Sequence, residues 1–204
     1  MIKVLSPFGP KIGKLKFSKI LIKKINLEVD KITSTRKLAK KFDYSDHLVG
    51  QVKQEIYLSN SFINKNIYKT IEKNIKIFIK KSTGKIPKKI KILNFWVVRQ
   101  FSNDYNPVHF HDGHISGVGY LKIPKSITKN KKKLRTQGTI DFIHGNKMFI
   151  NESIYNHIPK AGDVLLFPNY LMHTVYPFSA RGERRSFSFN VEIDKKIANI
   201  FSNE

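Results

Sequence analysis

The 204-residue sequence predicts a mainly β protein: a jelly roll with an N-terminal helical segment packed on it. From Pro87 onward, short runs rich in Val, Ile and aromatic residues are separated by Gly, Pro, Asn and Asp, a pattern typical of sandwiches and barrels. Before that point, residues 58–82 carry apolar residues at helical spacing. We therefore expect residues 1–89 to form a mixed, helical supporting segment and residues 90–204 the jelly-roll core, within one compact domain.

The segment before the core contains one clear helix and one short candidate. Residues 58–82 predict an amphipathic helix with a lysine-rich outer face, with N-caps at Ser59 to Ser61 and Gly84 beyond its end. Its apolar face consists of Ile63, Ile67, Ile71, Ile75, Phe78 and Ile79. A short helix is predicted near Thr33–Lys40, and the rest of residues 1–57 gives few clear signals.

Eight short strands are predicted in the core, a number that suits a jelly roll. They are Ile90–Phe101, Val108–His111, Ser116–Ile123, Thr139–Ile143, Lys147–Asn151, Val164–Phe167, His173–Tyr176 and Arg185–Ile193. Between two of them, the basic segment KSITKNKKKLRTQG, residues 125–138, is predicted to be a loop.

The charge balance raises the question of a nucleic-acid partner. Lys and Arg number 38 against 15 Asp and Glu, a net charge of +23, and a basic face attracts phosphates by releasing counterions. Only six of the basic residues are arginine, and the chain is also rich in Ile and Asn, a mixture expected from an AT-rich genome. We therefore favour a solvated lysine surface over a polyanion-binding one, with nucleic acid as a less favoured partner.

Features that the sequence lacks limit the kind of metal site, the membrane association and the cellular location that we expect. With no cysteine there can be no disulfide, iron–sulfur cluster or thiolate zinc site, so any metal must sit on nitrogen and oxygen ligands. No apolar run approaches the roughly 20 residues that span a bilayer, so no membrane partner is expected. The N-terminal stretch has lysines but no continuous apolar region, which predicts a cytoplasmic protein.

The stretch NPVHFHDGHISGVGYLKIP, residues 106–124, holds a His-x-His pair, His109 and His111. Residues i and i+2 of a strand point to the same face, so the two imidazoles could converge on one metal ion. Such a pair alone is also common as a surface or core pair. A third ligand is therefore needed, and His173, about 60 residues downstream at the start of a predicted strand, is the candidate.

Taken together, these stretches resemble the iron(II)- and 2-oxoglutarate-dependent oxygenases, in particular a bacterial and phage group. The resemblance rests on NPVHFHDGHISGVGYLKIP and on GDVLLFPNYLMHTVYPFSARGERRSFSFN, residues 162–190, and covers roughly residues 94–193. HLVG, residues 47–50, is similar to a signature upstream in the same group. The resemblance implies a double-stranded β-helix and a dioxygenase that takes iron(II) and 2-oxoglutarate. It also implies hydroxylation of a substrate with release of succinate and CO2.

The resemblance also implies roles for individual residues. His109 would be the first iron ligand and His173 the distal one. Arg184 would pair with the C5 carboxylate of 2-oxoglutarate, because a guanidinium fork suits a carboxylate. Ser186 and Tyr120 would each add a hydroxyl to the same carboxylate.

The second metal ligand departs from the family pattern. Most of the superfamily has Asp or Glu where this chain has His111, so we interpret His109, His111 and His173 as an all-histidine triad. The alternative is that Asp112 binds the metal and one histidine does not. Adjacent strand residues point to opposite faces, so Asp112 would need a bend or bulge to reach the ion.

Strand alternation separates the two neighbouring arginines. Arg184 falls on one face with Ser186, Ser188 and Asn190, whereas Arg185 falls on the other and is expected to face solvent. The alternative is that Arg185 anchors the carboxylate.

Two other function classes stay open. A cupin-like, metal-binding jelly roll without 2-oxoglutarate would share the three histidines but would not need Arg184 or Ser186. A basic nucleic-acid-interacting protein on an idle oxygenase core would use the tract from Lys125 to Arg135. The sequence leaves the substrate open among a protein side chain, a nucleobase and a small metabolite, and it does not indicate an oligomeric state.

Overall fold

Two antiparallel sheets face each other in the computed structural model, which describes residues 9–128, 137–179 and 181–199. The larger sheet has six strands in the order β1-β8-β5-β10-β3-β2. Its strands are β1 Gly13–Lys16, β2 Gln54–Tyr57, β3 Ile90–Gln100, β5 Ile115–Lys122, β8 Asp163–Pro168 and β10 Arg184–Ile193. This sheet supplies the floor of the site described below.

The smaller sheet has four strands in the order β4-β9-β6-β7. They are β4 Asn106–His109, β6 Ile140–Ile143, β7 Ile154–His157 and β9 Met172–Val175. The two sheets make a jelly roll, so the predicted fold class is confirmed. Between them lies an apolar cluster that includes Val118, Phe142 and Phe167.

The larger sheet is buried on both faces because helices cover its outer side. Phe187, Phe189 and Val191 of β10 point outward into a second apolar cluster with the helices. The helices are α1 Lys19–Thr33, α2 Arg36–Lys41, α3 Asn60–Asn66, α4 Tyr68–Thr83 and α5 Lys195–Ala198. The predicted helical layer on the jelly roll is therefore present.

Two glycines of β5 allow β10 to pack closely against it. A Cβ at Gly117 would lie 2.2 Å from the Phe189 ring, and one at Gly119 would lie 2.1 Å from the Phe187 ring. Phe187 is itself stacked on Phe95. The rings of β10 therefore lie directly over the backbone of β5.

The helix predicted over residues 58–82 is two helices, α3 and α4, that meet at Ile67. The expected caps are present: the Ser59 hydroxyl accepts from the backbone N–H of Phe62, and Gly84 ends α4 in a left-handed conformation. The short helix predicted near Thr33–Lys40 is α2. The long helix α1 was not predicted.

Seven of the eight predicted strands are present, with ends that differ by at most two residues. The strand predicted at Lys147–Asn151 is wrong. Those residues form a turn in which Phe149 and Ile150 are 92% and 93% exposed, and the strand in this region is β7. Residues 129–136 of the predicted basic loop lie outside the described residues.

The larger sheet takes β1 and β2 from the segment before residue 90 and its other four strands from residue 90 onward. We propose on this basis that the two segments form one compact domain. Within the described ranges, no helix is long and apolar enough to cross a membrane.

Candidate metal centre and carboxylate pocket

A cavity of about 300 Å³ opens between the two sheets. Its floor is the inner face of β3 and β10, and its opposite wall comes from β4, β9 and the residues that follow β4. The three predicted metal ligands and the predicted carboxylate anchor, Arg184, all line it.

Three histidines converge at one side of this cavity. His109 on β4 lies opposite His173 on β9, and the Nε2 atoms of His111 and His173 are 3.1 Å apart. One ring nitrogen from each of the three residues lies within 4.8 Å of the others. Two imidazole nitrogens bound at right angles to one ion, each at about 2.1 Å, would be about 3 Å apart. The cluster could therefore hold a metal ion.

Backbone carbonyls fix the orientation of two of these rings. His109 Nδ1 lies 2.7 Å from the Pro107 carbonyl, and His173 Nδ1 lies 2.9 Å from the Leu171 carbonyl. A carbonyl only accepts, so each Nδ1 carries the proton and donates it. Each Nε2 then keeps its lone pair, as a metal ligand requires.

His111 lies just beyond the end of β4 and is held there by Asn169. The His111 backbone N–H donates to the Asn169 carbonyl at 3.0 Å, and the Asn169 side-chain amide donates to the His111 carbonyl at 3.1 Å. The side chain of His111 therefore reaches the histidine cluster although β4 ends at His109.

The three rings are neutral at pH 7. Burial, together with the neighbouring imidazoles, lowers the pKa of His111 and of His173 to about 3, and burial lowers the pKa of His109. Neutral imidazole is the form that binds metals.

Arg184 lies at the base of the cavity and is 1% exposed. Its Nη1 donates to the Gln100 side-chain carbonyl. Among the described residues, Nε and Nη2 of Arg184 have no hydrogen-bond partner. The hydroxyl of the fully buried Tyr120 has none there either. The ring centroid of Tyr120 lies 5.1 Å from the guanidinium carbon of Arg184. Burial raises the pKa of Tyr120 to about 12, so it keeps its proton. This donor set lacks only an anionic acceptor, and a carboxylate fits it.

The comparisons with known proteins agree with this geometry. Residues 94–190, the stretch that holds all three histidines, Tyr120 and Arg184, match the family model described as "Putative 2OG-Fe(II) oxygenase". Over these residues the chain is similar to the 2OG-Fe(II) oxygenases. None of the curated proteins compared with the chain is a significant match.

Solved structures of 2OG-Fe(II) oxygenases share its fold. A prolyl-4-hydroxylase from Pseudomonas putida has a TM-score of 0.58 at 12% identity, with 88% of this chain and 91% of that chain covered. HygX from Streptomyces hygroscopicus, crystallised with nickel, 2-oxoglutarate and hygromycin B, gives 0.61 at 9%, with 90% and 83% covered. The viral collagen prolyl hydroxylase of Paramecium Bursaria Chlorella virus-1, a 2-oxoglutarate complex, gives 0.55 at 16%, with 88% and 94% covered.

Within this oxygenase fold, Ser186 and Asp112 also line the cavity. Ser186 lies beside Tyr120 in the register of β10 and β5, on the same face as Arg184. The Asp112 carboxylate is not part of the histidine cluster among the described residues.

The prediction that Arg185 faces solvent is wrong. Strand alternation does place it on the outer face of β10, but α1 covers that face and the side chain is buried. Its guanidinium donates to Glu183 and, at 2.8 Å, to Asp30 of α1. Arg185 therefore ties α1 to the larger sheet, on the side away from the cavity.

Sequence reasoning missed one acidic residue of the cavity, Glu55 on β2. The side chain lines the cavity and is 1% exposed. Nothing before residue 57 predicted a strand there, so no sequence pattern pointed to it. The upstream HLVG signature also reaches the cavity, since His47, Leu48 and Val49 line it.

Proposed function

We propose that this 2OG-Fe(II) oxygenase binds iron(II) through His109, His111 and His173. We propose further that Arg184, with Ser186 and Tyr120, binds the C5 carboxylate of 2-oxoglutarate. The observation that carries both assignments is that a converging histidine triad and a buried guanidinium with two unpaired nitrogens share one cavity.

When bound, iron(II) and 2-oxoglutarate supply the chemistry: with O2, the keto acid is decarboxylated to succinate and CO2 and one oxygen atom enters a substrate C–H bond. The residues of the chain orient these partners. Gln100 accepts from Arg184 and so holds the guanidinium plane, and the two remaining nitrogens are left for the carboxylate.

The cavity walls separate the reacting groups from water. Val118, Ile140 and Val175, which are buried and belong to both sheets, line the space shared by Arg184 and the triad. In such surroundings a charge-assisted hydrogen bond is stronger than it is in water.

An all-histidine triad leaves the metal site one negative charge poorer than a site with two histidines and a carboxylate. Iron(II) would keep its full charge of two there, which favours the dianion of 2-oxoglutarate as a further ligand. We expect the affinity for iron to depend more strongly on bound 2-oxoglutarate than it would with a carboxylate ligand.

The two other function classes receive less support. A cupin-like protein that does not use 2-oxoglutarate would leave the buried Arg184 guanidinium without an anion, which is costly. The nucleic-acid hypothesis depends on residues that lie largely outside the described part of the chain. A cytoplasmic location in a bacterial cell, with phage origin in keeping with the resemblance, stays part of the proposal.

Turnover of the cosubstrate tests the proposed function. The iron(II)-loaded protein should convert 2-oxoglutarate to succinate slowly in air without substrate and faster with a suitable substrate from a panel of amino-acid side chains, nucleobases and metabolites. Arg181→Ala changes an exposed arginine outside the cavity and serves as the control, which should form succinate as the wild-type protein does. If the wild-type protein neither binds 2-oxoglutarate nor forms succinate, the proposed function is wrong.

A further inference from the structure

We propose that Glu55 recognises the substrate, and that the group it binds is a protonated amine. The inference rests on the proposed function for the cavity as a whole, and it adds the chemical class of the substrate. Three observations carry it: the position of Glu55 in the sheet, its missing partners, and the charges that line the cavity.

The register of the larger sheet places Glu55 on the same inner face as the carboxylate pocket. Glu55 on β2 pairs with Val98 on β3, and Val98 pairs with Ser186 on β10. Val98 and Ser186 both line the cavity, as Glu55 does. Two strand spacings, about 10 Å, therefore separate the Glu55 and Ser186 backbones. That offset leaves the Glu55 end of the cavity to the substrate.

The Glu55 carboxyl group has no partner among the described residues. It is 1% exposed, and neither Oε1 nor Oε2 makes a hydrogen bond within the described part of the chain. The backbone of Gly50 packs against it, since a Cβ there would lie 2.9 Å from Oε1. Buried carboxyl groups are normally hydrogen-bonded or paired, so this one is set for a ligand that enters the cavity.

The charge of the lining selects a cation. The chain carries 38 Lys and Arg residues, yet among the described residues Arg184 is the only one of them that lines this cavity. Two carboxylates, those of Glu55 and Asp112, line it. Asp43, outside the cavity, adds negative potential at Glu55: burial first, and then the Asp43 carboxylate, raise the pKa of Glu55 to about 7. An ammonium group would satisfy Glu55 with up to three donors, and a phosphate would be repelled.

The cavity contains its own reporter. The chain has a single tryptophan, Trp96, which lines the cavity on β3 and pairs with Tyr57 of β2. Quenching of its fluorescence can therefore follow a ligand at this end of the site.

The test compares amines with neutral compounds of the same shape, at pH 8, in the anaerobic protein loaded with iron(II) and 2-oxoglutarate. One arm uses hexylammonium and 1-hexanol, and the other uses N-acetyl-lysine methylamide and N-acetyl-6-hydroxynorleucine methylamide. We expect the amine to bind about tenfold more tightly than its neutral counterpart in at least one arm, which also tells a free amine from a peptide side chain.

Two variants tie the preference to this residue. Glu55→Gln should reduce the preference for the amine to about twofold or less, while the neutral compounds bind as before. Glu72→Gln, which changes a carboxylate on the helix α4, should keep the preference of the wild-type protein. No amine preference in either arm for the wild-type protein, or a preference that survives in Glu55→Gln, would overturn the proposal.

The same titration repeated without metal and 2-oxoglutarate separates this proposal from the proposed function. If the protein fails to bind 2-oxoglutarate but still prefers the amine through Glu55, only the proposed function is wrong. If it binds 2-oxoglutarate through Arg184 but shows no amine preference, only the role of Glu55 is wrong.

Discussion

Arg185 and Glu183, two residues apart, form a two-point ion pair on the outer face of the larger sheet: Nε lies 2.7 Å from Oε1 and Nη2 lies 3.1 Å from Oε2. The same guanidinium reaches Asp30 of α1. Its neighbour Arg184 points the other way, into the cavity. Two adjacent arginines thus serve opposite faces of one strand, one in stability and one, as we propose, in binding.

Replacing Arg185 should destabilise the fold without affecting the binding of 2-oxoglutarate. Arg185→Met leaves Glu183 buried with fewer donors, and removing one partner of a buried pair costs about 3 kcal/mol. Urea unfolding measures this loss, and the exposed Arg181→Met serves as the control. An unchanged free energy of unfolding would show that the ion pair does not hold α1 to the sheet.

Replacing Arg184, in contrast, should weaken the binding of 2-oxoglutarate. Arg184→Ala removes the proposed partner of the C5 carboxylate, so the Kd for 2-oxoglutarate should rise by an amount worth about 2 to 5 kcal/mol, while iron content stays nearly unchanged. Titration of 2-oxoglutarate into the anaerobic, iron-loaded protein measures the change. If Arg184→Ala binds 2-oxoglutarate as tightly as the wild-type protein, the carboxylate pocket is elsewhere and the cupin-like hypothesis gains support.

Much of this contrast could be predicted from sequence alternation, which correctly separated Arg184 from Arg185. Alternation could not predict that the helix α1 covers the outer face of β10. The helix α1 was missed because apolar residues occur on more than one side of it: Leu21 and Ile25 are buried, whereas Ile20 and Leu27 are 72% and 58% exposed. The buried residues Leu21, Ile25, Val29 and Ile32 do follow helical spacing, but the exposed apolar residues among them obscured this stripe. Without a predicted helix over the outer face, Arg185 was assigned to solvent.

The same limits explain the other differences. The break between α3 and α4 at Ile67 was missed because the four-residue spacing of Ile63, Ile67 and Ile71 continues through it. The strand β2, which carries Glu55, is only four residues long and has no alternation of apolar and polar residues. The strands β4 and β9 are equally short, but they were predictable because they lie within the histidine motifs that resemble the oxygenase family.

The acidity of Glu55 predicts a specific dependence of stability on pH. Its pKa is about 7 in the folded protein against 4.5 ordinarily, so between these values the folded state holds a proton that the unfolded state has lost. Stability therefore falls as pH rises from about 4.5 to 7, by about 3 kcal/mol at 1.36 kcal/mol for each unit.

Glu55→Gln should remove that loss. The check is urea unfolding at pH 5 and pH 8 with a chelator present, comparing the wild-type protein and Glu55→Gln at each pH. Relative to the wild-type protein, the variant should gain about 2.5 kcal/mol in its free energy of unfolding between pH 5 and pH 8. An equal change in both proteins would mean that Glu55 titrates normally.

Because β5 packs closely against β10, adding a single methyl group at Gly119 of β5 should destabilise the fold. Gly119→Ala would place a Cβ against the buried Phe187 ring, which overpacks the core and should cost about 1 to 3 kcal/mol. The matched measurement is the same substitution in a Phe187→Leu background, where the smaller side chain leaves room and the cost should shrink. Equal costs in both backgrounds would assign the effect to the backbone instead.

The proposed histidine ligands are tested by the iron(II) content of histidine variants after anaerobic loading and dialysis, measured by metal analysis. The wild-type protein should retain an equimolar amount of iron, as should His144→Ala, which changes an exposed histidine outside the cavity. His173→Ala should lose it, because two imidazoles remain where three converged. His111→Asp should keep it, since a carboxylate is an accepted ligand at that position. Unchanged iron content in His173→Ala would show that this triad is not the iron site.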